Sequence, residues 1–359
     1  MTLLLAGDIG GTKTLLATYR LDGGRLEQQR HGRYPSQAWP DFAAMVSHFL
    51  AAADSLTTEA PSHGCFAVAG PVIGGQVKVT NLPWQLDQQQ LAAACGLDCL
   101  ELVNDFAVLV YGLPHLAADQ QQALRPLPAK EPLLSAPVAV LGAGTGLGTA
   151  IGVPGPSGLI AMASEAAHAE FAPRLSAEWR LKQWLQDDLR LDRLSVERVV
   201  SGTGLGHLFR WMLTEAPSAD SHSLAEPALA WAAAERDGRP DRPDLPALVS
   251  AAAADGDPMA AEALSLWLGA YGSVAGDLAL HCLCRGGLWV GGGTAAKLLH
   301  RLRSPAFLQP FSAKGRLSPV LEAIPLRAIV DPGAGLFSAA CRARMLAGGH
   351  DTASPLFNP

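Results

Sequence analysis

Two glycine-rich turns constrain this chain more than any other feature. Leu3 to Asp8 reads as an apolar strand, Gly10 and Gly11 as a tight turn, and Thr14 to Tyr19 as a return strand. The pattern recurs far along the chain, where Val138 to Gly142 and Gly148 to Val153 read as strands on either side of a second glycine turn, Gly144-Thr145-Gly146. Strand on both sides is decisive. A Walker A loop runs from strand to helix, and Thr12 stands where the glycine before its lysine belongs. The second turn lacks the third glycine of a dinucleotide fingerprint, and no helix pattern follows it. What remains is a pair of hairpins, one in each of two lobes, whose small residues let backbone N–H groups approach phosphate oxygens. Taken singly, each segment serves equally well as an ordinary tight turn.

A chain of 359 residues fits two domains better than one core. Apolar residues make up 49%, and 37 glycines with 26 prolines fall short of a low-complexity composition, so wholesale disorder is excluded. Charged residues are only 17% and the net charge is −6, leaving no basic face for nucleic acid. The N-terminus has no basic segment ahead of its apolar run, unlike a secretory signal, and a cytoplasmic location is expected. Six cysteines form no CxxC pair and no zinc spacing, and read as reduced, mostly buried thiols. Ala263 to Cys284 is apolar enough to invite a membrane reading, but Asp277, His281, Ser265 and Ser273 are costly in hydrocarbon. A buried helix is expected instead, with Gly272 and Gly276 allowing close backbone approach and no membrane as partner.

Strand and helix patterns alternate along the chain. Helices are expected at Trp39 to Ala53, Leu91 to Cys95, Glu178 to Leu189, Ala295 to Leu302 and Ala334 to Leu346. Further strands are expected at Cys65 to Ala69, Val77 to Thr80, Cys99 to Val103, Leu288 to Gly291 and Leu326 to Val330, which together make an α/β plan. Thr214 to Pro246, rich in proline and scattered charge, reads as a surface insertion with short helical pieces, and His350 to Pro359 as a frayed tail.

Polar residues gather at a few points. Asn104 and Asp105 follow a strand and precede a helix, the edge where open α/β sheets bind ligands; there Asp105 could accept a hydroxyl proton, or the pair could simply cap the helix. Asp8 could address a phosphate-bound cation. Glu165 and His168 are spaced so that one local turn aims both at one ligand, a carboxylate accepting from sugar hydroxyls and an imidazole donating; a solvated pair is the plainer reading. Glu197 reads as a surface carboxylate or a partner of Arg198, and Gly202 to Gly206 as a flexible segment. Gly291-Gly292-Gly293 follows a strand and suits backbone contact with a nucleoside, or a plain strand-to-helix turn.

The ordered set DIGGTK at 8 to 13, VNDF at 103 to 106, GAGTGLG at 142 to 148, SEAAH at 164 to 168, ERVVSG at 197 to 202 and GGG at 291 to 293 resembles the bacterial glucokinase family, over nearly the whole chain. The resemblance implies a two-lobed actin-like ATPase (ribonuclease H-like) fold that closes over ATP and glucose. It implies a small lobe of residues 1–112 joined by the C-terminal helix 334–347, and a large lobe of residues 113–333 with an insertion at about 214–246. It makes Asp105 the base at the glucose 6-hydroxyl and Asn104, Glu165, His168 and Glu197 the sugar ligands, with Asn81, in a TN…W stretch, as another. Gly10, Gly11, Thr12 and Lys13 with Gly144, Thr145 and Gly146 become the phosphate grips, Asp8 lies near Mg2+ as an indirect ligand, and Gly292 and Gly293 lie near the adenosine. A homodimer is implied as well.

This chain departs from that pattern at three places. Ala166 and Ala167 replace the family's usual Gly-Gly, and a Cβ costs roughly 1 kcal/mol or more if either position needs a positive φ. Lys13 replaces a frequent Asn, and the 214–246 insertion is expected to affect only the surface or subunit contacts. Two competing readings stand beside glucose phosphorylation: a kinase for another hexose or an amino sugar, motivated by Ala166 and Ala167, and a sugar-sensing protein without turnover.

Overall fold

The alternating apolar runs become strands of two separate sheets in the computed structural model, which describes residues 2–51, 60–127, 135–216, 221–239 and 241–348. The expected frayed tail, the last residues of the helix expected to reach Ala53, and Pro217 and Pro240 of the insertion lie outside the described residues.

The first sheet opens with a meander of β1 (Thr2–Ile9), β2 (Lys13–Asp22) and β3 (Arg25–Pro35). There follow α1 (Phe42–Ala51), β4 (His63–Val68), β5 (Gln76–Lys78), β6 (Gln85–Asp87), α2 (Gln88–Cys95), β7 (Cys99–Asn104) and the single turn α3 (Leu109–Gly112). Sheet order is β3-β2-β1-β4-β7, with β5 and β6 forming a separate ribbon. Because β1, β4 and β7 run parallel, Ile9 stands opposite Val68 and Val68 opposite Asn104, so the ends of three strands share one edge. Pro40 keeps Trp39 out of α1, which starts three residues later than its apolar spacing predicts.

The second sheet has the order β11-β10-β9-β12-β13-β8. Its strands are β8 (Gln121–Ala123), β9 (Val138–Ala143), β10 (Leu147–Gly155), β11 (Gly158–Ser164), β12 (Gly287–Val290) and β13 (Leu326–Ile329). Between β11 and β12 come α4 (Ser176–Leu189), α5 (Gly202–Glu215), α6 (Ala225–Arg236), α7 (Leu245–Ala254) and α8 (Pro258–Cys282). Between β12 and β13 come α9 (Leu299–Leu302), α10 (Pro305–Ser312) and α11 (Ser318–Glu322), and α12 (Ala334–Leu346) closes the described chain. Parallel pairing of β9 with β12 sets Leu141 against Val290, which brings the second glycine hairpin and the Gly291 turn to one edge.

Helix α8 is the core of the larger half. Its most apolar stretch is 72% buried. Gly272 and Gly276 face the backbone carbonyls of Phe307 and Phe311, where a Cβ would collide, so the expected close approach is made by α10. The one acidic side chain in the stretch, Asp277, pairs with Lys314, whose ammonium also donates to the Ser273 carbonyl at 3.0 Å. Helix α12 packs on the first sheet and against α3. Phe337, Ala340 and Cys341 share one apolar cluster with Leu4 and Cys65 of the first sheet and with Val138, Ala150 and Ile329 of the second. The cysteines are mostly buried as expected, with Cys65, Cys284 and Cys341 at 0% exposure.

Three expectations need correction. Gly202 to Gly206 is not a flexible segment but the first turn of α5: the Ser201 side chain accepts the Gly204 N–H at 2.9 Å, and glycine is required because Gly204 packs on the Val199 carbonyl. Residues 214–246 are not a surface appendage, since Trp231 of α6 is 1% exposed and belongs to the large core. The helix expected from Ala295 to Leu302 shrinks to α9, with turns before it.

Candidate active site

The shared edge of β1, β4 and β7 carries the first acidic pair. The Asp105 N–H donates to the Val68 carbonyl at 3.0 Å, which fixes the chain just past β7. The Asn104 side-chain oxygen accepts the N–H groups of Phe106 and Ala107, at 3.0 and 3.1 Å, while its amide donates to Asp105 Oδ1 at 3.0 Å and to the Gly70 carbonyl. Asn104 is therefore the cap of the following turn and at once the support of Asp105. Burial pushes the Asp105 carboxyl above the ordinary carboxylate range; the Phe106 N–H, its own N–H and the Asn104 amide pull the other way, and Glu165 adds to the rise. Asp8 is raised to about 6, first by burial and then by Asp105, with Lys13 opposing.

The four glycines of the second hairpin have separate reasons. A Cβ on Gly142 would lie 2.5 Å from the Gly291 carbonyl, and one on Gly146 would lie 2.5 Å from Glu197 Oε2. A Cβ on Gly148 would fall inside the ring of Phe106. Gly144 alone faces open space, so its backbone is the part left for a ligand to approach. The hairpin is held from behind. The Gly202 N–H donates to the Gly144 carbonyl at 2.7 Å, the Thr203 hydroxyl to the Thr145 carbonyl at 3.0 Å, and the Leu147 N–H to Glu197 Oε2 at 2.9 Å. The Tyr271 hydroxyl oxygen accepts the Ala143 N–H at 3.1 Å. Gly292 adopts φ 79°, which turns the chain past the end of β12.

These elements enclose a cavity of about 380 Å³ whose walls include Asn104, Asp105, Glu165, Glu197, Gly144 and Gly293. A second cavity of about 630 Å³ shares Gly144, Thr145 and Gly293 with it and extends to Thr203, Trp231 and Lys297. The insertion thus supplies a wall of the second cavity through Trp231 and Arg242. Gly146 and Gly292 also lie on the smaller cavity.

Other expected residues lie off these walls. His168 Nε2 is 3.7 Å from Glu165 Oε2, but its side chain is 56% exposed and lines neither cavity. Asn81, at φ 64°, sits beside Gly11, with its Cβ 3.4 Å from where a Gly11 Cβ would be. The turn of Gly10, Gly11, Thr12 and Lys13 is pinned by Ser36, which bonds the Gly10 and Thr12 carbonyls at 2.7 and 3.1 Å, and it too lines neither cavity. Ala166 and Ala167 form a 3-10 turn without positive φ, so the concern over their Cβ atoms falls away. Sequence reasoning missed Thr149, Ser164 and Phe106 on the smaller cavity, and Gly335 of α12, whose missing Cβ leaves room for the Asp8 carboxylate. Phe106 and Ser164 stand inside the VNDF and SEAAH segments without being singled out there, and Thr149 and Gly335 stand outside every quoted segment.

A family model described as Glucokinase matches residues 5–346. The glucokinase of Nostoc punctiforme is 39% identical over 349 residues, covering 96% of this chain and all of that protein. The crystal structure of a glucokinase from an Antarctic psychrotroph superposes with a TM-score of 0.79 at 28% identity, over 96% of this chain and 99% of that one. A ROK family glucokinase from Streptomyces griseus, solved with glucose and AMPPNP, shares the fold at a TM-score of 0.53 and 22% identity, over 95% of this chain and 99% of that one.

Proposed function

Because the chain belongs to the glucokinase family, we propose that its two cavities hold glucose and ATP side by side and that Asp105 takes the proton of the glucose 6-hydroxyl. The activity is that of an ATP-dependent hexose kinase on the two-lobed actin-like ATPase fold. One observation carries the placement: Asn104, Asp105, Glu165 and Glu197 face one cavity, and that cavity shares Gly144, Thr145 and Gly293 with a larger neighbour. The carboxylates suit the hydroxyls of a sugar, with Asn104, whose amide is already bonded to Asp105, Gly70, Phe106 and Ala107, holding the site in shape. The larger cavity, with Trp231 and Lys297, takes the nucleoside, and the open backbone at Gly144 takes the phosphates between.

Phosphoryl transfer asks mainly for in-line positioning and charge stabilisation. Asn104 holds Asp105 in place, Glu197 ties the sugar side to the second hairpin, and the Gly10 to Lys13 turn meets the phosphates from the opposite lobe as the lobes close, excluding water. His168 and Asn81 join the sugar only in that closed form. The lobes are residues 1–112 with 334–347 and residues 113–333, a division supported by β8 pairing with β13 of the second sheet.

Mg2+ suits this donor set. Among the described residues no cluster of three or more metal-binding side chains exists, and Mg2+ ordinarily takes one or two carboxylates with waters and phosphates, which Asp8 beside the first turn provides. Bound there, the ion would offset charge on the transferring group. The homodimer and the cytoplasmic location belong to the same reading, and light scattering of the purified protein tests the first.

The deciding experiment is ATP-dependent ADP release with glucose, mannose, fructose, galactose and N-acetylglucosamine, for the parent and for Asp105→Asn. Glucose-stimulated release that the variant loses supports the reading. A different sugar ranking first would make the chain a kinase for that hexose, and glucose binding without turnover would make it a sensor.

A further inference from the structure

We infer that Phe106, seated on Gly148, is a positioning residue that sets the distance between Asp105 and the second phosphate hairpin. The inference rests on the placement of Asp105 proposed above. Its geometry is local and unusual. Phe106 follows Asp105 directly, and its N–H is shared between Asn104 Oδ1 at 3.0 Å and Asp105 Oδ1 at 3.1 Å, so the carboxylate and the Phe106 backbone move together. The ring leaves the first sheet and reaches the second. There it rests on the Cα of Gly148, so closely that Cδ2, Cε2 and Cγ occupy the volume a Cβ would need.

Gly148 belongs to β10 and stands opposite Gly142 of β9, at the root of the hairpin whose tip is Gly144-Thr145-Gly146. The ring is thus a spacer between the end of β7 and the hairpin proposed to hold the phosphates. Both Phe106 and Gly148 line the smaller cavity. Gly148 also lacks a positive φ, so backbone conformation does not demand glycine there, and the ring does. A hairpin turn by itself would accept alanine at this position.

A side chain at 148 must push the ring away, and with it the carboxylate bonded to the Phe106 N–H. Displacement of a reacting group by about 1 Å costs on the order of 10²-fold in rate. The test is a double-mutant cycle of Gly148→Ala, Phe106→Ala and the pair. Gly148→Ala is expected to lower kcat about 10²-fold, with the glucose Kd changed by no more than about threefold and a melting midpoint lowered by the overpacking but still well above the assay temperature. In the Phe106→Ala background the same Gly148→Ala change is expected to cost less than about threefold, because the ring atoms nearest that Cβ are then gone. An equal cost in both backgrounds, or a Phe106→Ala variant with parental kcat, would overturn the inference.

Two further readings keep the test decisive. If Gly148→Ala fails to fold, the kcat of Phe106→Ala decides alone. If the parent itself turns over no sugar, the functional reading has failed, and the spacer is judged by amide NMR instead. The amide N–H at position 106 reports the titration of the carboxylate it touches, and its midpoint is expected to shift in Phe106→Ala, where no ring holds Asp105 at its distance from the second hairpin. An unmoved midpoint would count against the spacer.

Discussion

Asp105 and Asp8 are the two side chains whose environments say most about their work. Burial raises Asp105, and the proposed base must be ionised to accept a proton, so the acidic limb of kcat/KM should lie above the ordinary carboxylate range. Asp105→Asn should lower kcat by about 10² to 10⁴-fold and abolish that limb while calorimetry still detects glucose. Asp8, held at about 6 in the fold against 3.8 unfolded, binds its proton more tightly when folded. Its ionisation therefore subtracts stability above pH 6, by up to about 3 kcal/mol, and the loss is recovered as the pH falls toward 4. Asp8→Asn should raise the urea midpoint at pH 7.5, leave it unchanged at pH 4, and remove ATP turnover. A variant equally or less stable at pH 7.5 would show that Asp8 is not strained by burial. Ala166 and Ala167, a departure that looked costly on paper, have no positive φ, and Ala167 is 3% exposed. Ala167→Gly should lower stability by about 1 kcal/mol without improving the glucose KM.

At the scale of elements, the second hairpin and the segment 214–246 depend on each other through α5. The N-terminus of α5 braces the hairpin through Gly202 and Thr203, and its buried His207 donates from Nε2 to the Glu235 carboxylate of α6 at 3.0 Å. Burial drives His207 down to about 3, so it stays neutral in the fold and charges only on unfolding; its stabilising contribution is complete above pH 6.5 and is lost as the pH falls below that. Trp231 of α6 packs edge-on against His207 and beneath the Arg242 guanidinium, 5.3 Å from the ring centre. Trp231→Ala should cost about 3 to 5 kcal/mol in denaturant unfolding and raise the ATP KM before the glucose KM. A loss below 1 kcal/mol would return the segment to the surface role its composition suggested. Proline and charge had hidden an apolar stripe of only a few residues, Leu224, Ala228, Trp231 and Ala232, all buried.

Across the whole molecule, α12 ties the first sheet to an apolar cluster that also takes in residues of the second. It covers β1 and β4, reaches α3, and contributes Leu336, Phe337, Ala339, Ala340 and Ala343 to a cluster that spans both halves. Ending the chain after Gly333 should leave that apolar surface bare and abolish cooperative thermal unfolding; a truncated protein that still melts in one sharp transition would show that the halves stand without it. The same helix starts beside Asp8, since Gly335 leaves room for the carboxylate. Stability and the site are joined there.

Local pattern determined the elements whose signal lies within a few residues: both hairpins, the buried strands β4, β7, β9, β12 and β13, the long α8 and the closing α12. Alternation and glycine punctuation are set by backbone geometry, which needs no partner to be read. The polar strands β6 and β8 carried no such signal, because β8 is a strand only through its pairing with β13. The candidate chemistry was legible as residue types in order, Asp105, Glu165, Glu197 and the glycines among them. Which of these meet was not. Only the folded chain sets Glu197 on the Leu147 N–H, leaves His168 outside the cavities and places Phe106 on Gly148. Contacts such as Leu147 with Glu197 and Phe106 with Gly148, 50 and 42 positions apart, are fixed by how sheets and helices pack, and that packing is a property of the whole core rather than of any one segment.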